Sequence, residues 1–199
     1  MFNISKNFQK KNYLVRFIIN EFDKNSLKIL KNNKFKVHSL KIKNKNLTIL
    51  EDAKLTREFI IKKKINSPYL IIDNYKINKN WESILKKIVY KIIVIDDMMI
   101  SKHNCDLLIN QNYSIKNQKK YYDELIPKNC KLLNGTKYAL LRPEFIKLRK
   151  ISKPRKKLNK ILISFGGADP TNETIKVLKA FKNINLEKLK LIVIAGHSN

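Results

Sequence analysis

Residues 91–112, KIIVIDDMMISKHNCDLLINQN, decide how this chain is read. Lys91–Asp96 is an apolar run closed by two acids, and Leu107–Asn110 is a second one that runs into Gln111 and Asn112. Apolar runs of this length, without polar alternation, suit strands that are buried on both faces. Just upstream, Tyr69–Asp73 reads as another strand, which follows Pro68. Between these strands Trp81, Ile84, Leu85 and Ile88 recur at i, i+3, i+4 and i+7, the spacing of a helix that lays one face on a sheet.

The same alternation extends outward. Met1, Ile4 and Phe8 recur at helical spacing, Tyr13–Ile19 reads as a buried strand, 25–32 as a helix and 36–40 as a short strand. Leu55, Phe59 and Ile60 give an apolar helix face between Asp52 and about Ile65. Strands alternating with helices predict an α/β protein of Rossmann-like βα units around a mostly parallel sheet. Between Leu148 and Leu158 the pattern gives way to a basic stretch containing Pro154, which predicts an interdomain linker. Beyond it come a strand over 160–165, a Gly166-Gly167 turn, a helix over about 170–182 and a strand over 190–195. The expected domains are therefore 1–150 and 151–199, the second being the start of another Rossmann-like unit.

Composition narrows the function classes. The 199 residues are 43% hydrophobic and 9% aromatic, which excludes a disordered chain. The apolar runs are too short to span a bilayer, and the sequence near Met1 has no signal-peptide core, so a cytoplasmic protein without a membrane partner is expected. The formal charge of +27 raises the question of nucleic acid. Only five of the 43 basic residues are arginine (Arg16, Arg57, Arg142, Arg149 and Arg155), and the lysines are scattered wherever a solvated position is expected. Arginine supplies the bidentate geometry favoured in base and phosphate recognition, so the charge points away from a nucleic-acid partner. Cys105 and Cys130 make no redox or metal pattern, and His103 with Cys105 lacks further ligands at zinc spacing. No metal and no cofactor is expected.

In an open parallel sheet, ligands bind beyond the C-terminal ends of the strands. Four polar clusters fall there: Asp73-Asn74-Tyr75, Asp96-Asp97, Asn110-Gln111-Asn112 and Gly166-Gly167-Ala168-Asp169. The two glycines allow close approach of backbone to a ligand, and Asp169 is expected to cap the next helix with Pro170 in its first turn. A helix N-terminus behind such a turn offers N–H groups to a diphosphate, although Gly-Gly at a βα turn is more often just a tight turn. Asp96 and Asp97 suit acid–base work or loop anchoring. His38 and His103 are expected to be structural, and His197 to be solvated.

Four co-linear segments carry a resemblance. They are IIDNYKINKNW (71–81), IIVIDDMMISKHNCDLLINQN (92–112), LLNGTKYALLRPEF (132–145) and ILISFGGADPTNETIKVLKAF (161–181). In order and spacing they resemble the motifs of the UDP-2,4-diacetamido-2,4,6-trideoxy-altrose hydrolase family of pseudaminic acid biosynthesis, with its spore-coat polysaccharide relatives. The resemblance implies a GT-B architecture and water attack at the anomeric carbon of a UDP-sugar, releasing UDP and the free amino sugar. It further implies a histidine base and no metal. It puts Tyr75 on the sugar side, as the candidate catalytic residue, and Gly166, Gly167, Asp169 and Asn172 on the substrate-binding side. Arg142 joins them as an anion contact or, equally, as a structural ion pair. The sequence departs from the family pattern in two places. The family's histidine lies in a G-x-G-H-x-x-R motif that is not found here, and Asn74 stands where the family has the histidine of its D-H-Y motif. The expectation is a partial chain, cut at both ends and lacking hydrolase activity alone. Alternatives are a GT-B glycosyltransferase, a binding-only module for a sugar nucleotide, and a basic nucleic-acid-binding protein.

Overall fold

A computed structural model describes residues 2–19, 24–40, 47–66, 68–113, 122–167, 169–182, 184 and 189–196. The chain divides into two compact units, Met1–Pro143 and Glu144–Asn199.

The first unit is built from parallel ladders. Helix α1 (Phe2–Lys10) leads to β1 (Arg16–Ile19), α2 (Lys24–Asn32) and β2 (Lys36–Ser39), and the two strands pair in parallel with Phe17 opposite Val37. Next come α3 (Ile49–Lys62), β3 (Tyr69–Ile72), α4 (Lys79–Leu85), β4 (Lys91–Ile95), β5 (Leu107–Asn110) and β6 (Lys131–Asn134). Strands β3 to β6 form a four-stranded, wholly parallel sheet in chain order. The register sets Ile72 opposite Val94, Ile95 opposite Ile109, and Asn110 opposite Asn134, so the four strands end along a common edge. The parallel α/β architecture expected from the sequence is present, but β1–β2 and β3–β6 form separate sheets rather than one.

Apolar burial explains the strands. Ile92, Val94 and Leu108 on β4 and β5 are completely or almost completely buried. They pack with Ala53, Phe59 and Ile60 of α3, with Trp81 and Leu85 of α4, and with Tyr122. The indole of Trp81 donates to Asp52 across 2.6 Å, which ties α4 to α3. Helix α3 begins earlier than its apolar stripe suggests because Thr48 and Glu51 form a reciprocal capping box. Helix α4 stops at Leu85, a turn short of Ile88, where Val89 and Ile88 both donate to the Leu85 carbonyl. The cysteines are free thiols, with sulfurs 3.5 Å apart at the starts of β5 and β6.

Helix α5 (Pro143–Ile151) starts at the last residue of the first unit, and in the second unit it is followed by β7 (Lys160–Ile163), α6 (Glu173–Phe181) and β8 (Lys190–Val193). Strands β7 and β8 pair in parallel, with Ile163 opposite Val193. Helix α5 takes up the first residues of the stretch read as a linker. Its dense lysines and arginines hid a helix whose last turn is basic, the favourable end for cations. Pro170 lies outside α6, which begins three residues later at Glu173.

Leu108 sits mid-sheet with no exposed surface. Leu108→Ala is expected to cost about 2–5 kcal/mol, seen as a lower urea midpoint with unchanged slope.

Candidate functional site

The common edge of β3–β6 gathers the polar residues that follow each strand, and their contacts define the site. After β3, the Asn74 side chain accepts from the Lys76 N–H in a tight turn, and Tyr75 stands exposed. The Tyr75 hydroxyl donates to Asp97 Oδ1 across 2.6 Å. That hydrogen bond to a carboxylate is the main reason the phenol is pushed up to about 12, so Tyr75 keeps its proton at neutral pH and acts there as a hydrogen-bonding group. After β5, Asn110 donates to the Tyr122 hydroxyl across 2.7 Å and accepts from the Asn112 N–H. Asn112 in turn reaches the Asp97 carbonyl at 3.4 Å. Gln111 accepts from the Leu140 N–H at 3.0 Å, which anchors the segment after β6.

Beneath this edge lies a buried group that sequence reading treated as merely structural. Glu82 of α4 is fully buried. Its Oε1 is 2.6 Å from His103 Nδ1, and its Oε2 accepts from the Asn104 N–H. The other imidazole nitrogen, Nε2, is 3.4 Å from Asp96 Oδ2, long for a hydrogen bond but close enough for strong Coulomb attraction. Burial alone would lower this imidazole, yet Asp96 and Glu82 outweigh it, and His103 is raised to about 9. Asp96 shows the converse balance. Burial pushes its carboxyl up, and His103 with the N–H groups of Met98 and Met99 brings it below the usual range. A small pocket opens among Asn74, Tyr75, Asp96, Ser101 and His103. No spacing rule in the sequence joins Glu82, Asp96 and His103, and only the acid-after-strand position of Asp96 pointed to this place.

The other predicted residues lie elsewhere. His38 stacks on Phe59 with ring centroids 3.8 Å apart, as a packed histidine should. Arg142 is exposed in the first unit, just ahead of α5. Gly166, Gly167, Asp169 and Asn172 belong to the second unit, while Ala168 and His197 lie outside the described residues. Gly166 has φ +80°, a conformation suited to glycine. Asp169 accepts the N–H groups of Glu173 at 2.8 Å and Thr174 at 2.9 Å, so it caps α6 from four residues ahead of it. Asn172, with φ 55°, occupies the position before the helix and makes no side-chain cap. Among the described residues, no cluster of three His, Cys, Asp or Glu is arranged to hold a metal, and no helix is long and apolar enough to cross a membrane.

Two curated proteins are similar to this chain. UDP-2,4-diacetamido-2,4,6-trideoxy-beta-L-altropyranose hydrolase of Campylobacter jejuni is 35% identical over 131 residues, covering 65% of this chain and 44% of that protein. An uncharacterized protein of Methanocaldococcus jannaschii is 32% identical over 180 residues, covering 84% of this chain and 34% of its own length. No family model matches. The relationship is distant and partial, and the chain spans less than half the length of either relative.

Two outcomes follow for the buried group. A folded-state value raised from 6.5 to about 9 makes the His103 contribution complete below about pH 6.5 and lost as pH rises through about 9. The depressed Asp96 acts oppositely, present above its ordinary 3.8 and lost as pH falls below that. Urea midpoints are therefore expected to be highest between these limits and to decline from pH 7 to about pH 9.5. Glu82→Ala leaves His103 beside Asp96 alone and is expected to cost about 3–5 kcal/mol in the same unfolding measurement at neutral pH.

Proposed function

We propose that this protein acts on a UDP-linked diacetamido-trideoxy sugar, as part of a hydrolase that releases UDP and the free amino sugar. The observation that carries the reading is the edge of the β3–β6 sheet. There, at the C-terminal ends of parallel strands, Tyr75, Asp97 and Asn112 are joined by hydrogen bonds and face solvent beside a pocket. The similarity to a hydrolase of a UDP-sugar supports the choice of ligand. In this reading the Tyr75–Asp97 edge of the first unit meets the sugar.

Water rather than a second sugar is the acceptor. Attack at the anomeric carbon breaks its bond to the diphosphate oxygen, and UDP departs with the electron pair. The attacking water needs a base. Neither described histidine suits that task, because His38 is stacked on Phe59 and His103 is held between two carboxylates. Tyr75 keeps its proton at neutral pH and gives it to Asp97, so its free lone pairs suit it to accept from a sugar hydroxyl or acetamido N–H rather than to act as a base. The 199 residues contain no G-x-G-H-x-x-R motif, so a base of that kind is not assigned to any of them.

Calorimetric titration with UDP and with the UDP-linked diacetamido-trideoxy sugar tests the reading. Saturable binding of both, tighter for the sugar nucleotide, is expected, and no heat with either overturns it. Tyr75→Phe is expected to weaken the sugar nucleotide by about tenfold, the loss of one hydrogen bond to the ligand, while leaving UDP affinity unchanged.

A further inference from the structure

The contacts around His103 form a continuous path from the inside of the first unit to its exposed edge. Glu82, on α4, and Asp96, at the end of β4, are the charged groups that face the imidazole, and each carboxylate also accepts backbone N–H groups. Glu82 thereby fixes the segment at Asn104, and Asp96 fixes the turn at Met98 and Met99, where Met99 has φ 57°. The residue after Asp96 is Asp97, whose side chain holds the Tyr75 hydroxyl and whose carbonyl meets Asn112. One turn thus links the ends of β3, β4 and β5, and the imidazole is its inner anchor.

The His103 Nε2 atom is buried and has no hydrogen-bond partner, and the carboxylate of Asp96 faces it at 3.4 Å.

We propose that His103 is a positioning residue, clamped between Glu82 and Asp96, that sets the turn after β4 and so aims the Asp97–Tyr75 pair at the sugar of a bound UDP-sugar. The sugar rests on the function proposed above; the aiming of Tyr75 does not. Two protons on the ring are what the arrangement uses, since a neutral imidazole would turn a lone pair toward one carboxylate. An amide side chain at this place carries no charge to balance either one.

The experiment compares the parent chain with His103→Gln, both labelled at tyrosine Cζ, with the Tyr75 resonance assigned through Tyr75→Phe. At pH 7, where His103 is charged, the parent is expected to show a Tyr75 Cζ resonance displaced by the hydrogen bond to Asp97. In the variant at the same pH that resonance is expected to move toward the position of an unbonded tyrosine as the Asp97 contact loosens, while the amide resonances of β3–β6 stay in place. The variant is also expected to bind the UDP-linked diacetamido-trideoxy sugar about tenfold more weakly, with unchanged UDP affinity. An unmoved Tyr75 resonance in a folded variant overturns the proposal. If His103→Gln fails to fold, the parent alone gives the reading. Its Tyr75 Cζ resonance is expected to move as His103 loses its proton near pH 9, and a resonance that stays in place through that range overturns the proposal. A shifted Tyr75 in a protein that binds neither ligand leaves the positioning role standing and removes the UDP-sugar reading alone.

Discussion

The fully buried carboxylate of Glu82 is the constraint on which the first unit's polar edge depends. Taking an ion of this size out of water costs several kcal/mol, and only an opposite charge with good hydrogen bonds offsets it. His103 supplies the charge at 2.6 Å, and the Asn104 N–H supplies a further bond. The surroundings reinforce the same junction. Asn104 donates to Ser83 across 2.9 Å, and the Lys102 carbonyl accepts the first N–H of α4, from Lys79, at 2.7 Å. The short helix α4 is thereby fixed to the chain that leads into β5, and Asp96 is held through the far side of the imidazole. Because three elements converge on one ring, a change at any of them moves the polar edge above.

The acids of this chain are few and well employed. Only 16 residues are Asp or Glu against 43 Lys and Arg, and much of the minority is tied to particular places. Asp106 accepts the Ile92 N–H at 2.9 Å and is met by Lys91 and Lys86, which seals the N-terminal ends of β4 and β5. Asp52 holds the Trp81 indole, Glu51 completes the α3 cap, and Asp169 caps α6. Lys86 and Lys91 reach Asp106, and Lys176 reaches Glu173, through side chains that stay at least partly exposed. A charge of +27 therefore says little about what the protein binds, whereas the positions of the acids say where its elements are fastened.

Much of the fold was legible because apolar patterning is a local signal. Leu107–Asn110 reads directly as a strand, and β4 differs from its sequence reading only by its terminal Asp96. Legibility fails where a local device overrides the pattern. Thr48 and Glu51 pull the start of α3 ahead of its apolar face, and β6 offers only Leu132 and Leu133 between Lys131 and Asn134. The site was half legible. The rule that ligands meet strand ends located Tyr75, Asp96 and Asp97, but the pairing of Glu82 with His103 spans 21 positions and follows no sequence spacing. An H-x-C pair suggested at most a missing metal site. The carboxylates that give His103 its charge could be found only once α4 was packed beside the chain at 103–104.

The second unit changes how its glycine turn can meet an anion. A helix N-terminus attracts phosphate because its first N–H groups lack partners. At α6 two of these groups, those of Glu173 and Thr174, already bind the Asp169 carboxylate, which lies where an anion would otherwise lie. A diphosphate must then either share the helix end with a negative charge or be met by the turn itself. The turn is suited to the second course, since Gly166 and Gly167 carry no side chains to obstruct it. Gly196, just past β8, lies so close to the Gly167 carbonyl that an added Cβ would collide with it. The ends of the two strands are thus packed backbone against backbone, which requires glycine there whether or not a ligand is bound. Asp169 is accordingly better understood as the residue that shapes this turn and starts α6 than as one that touches a phosphate.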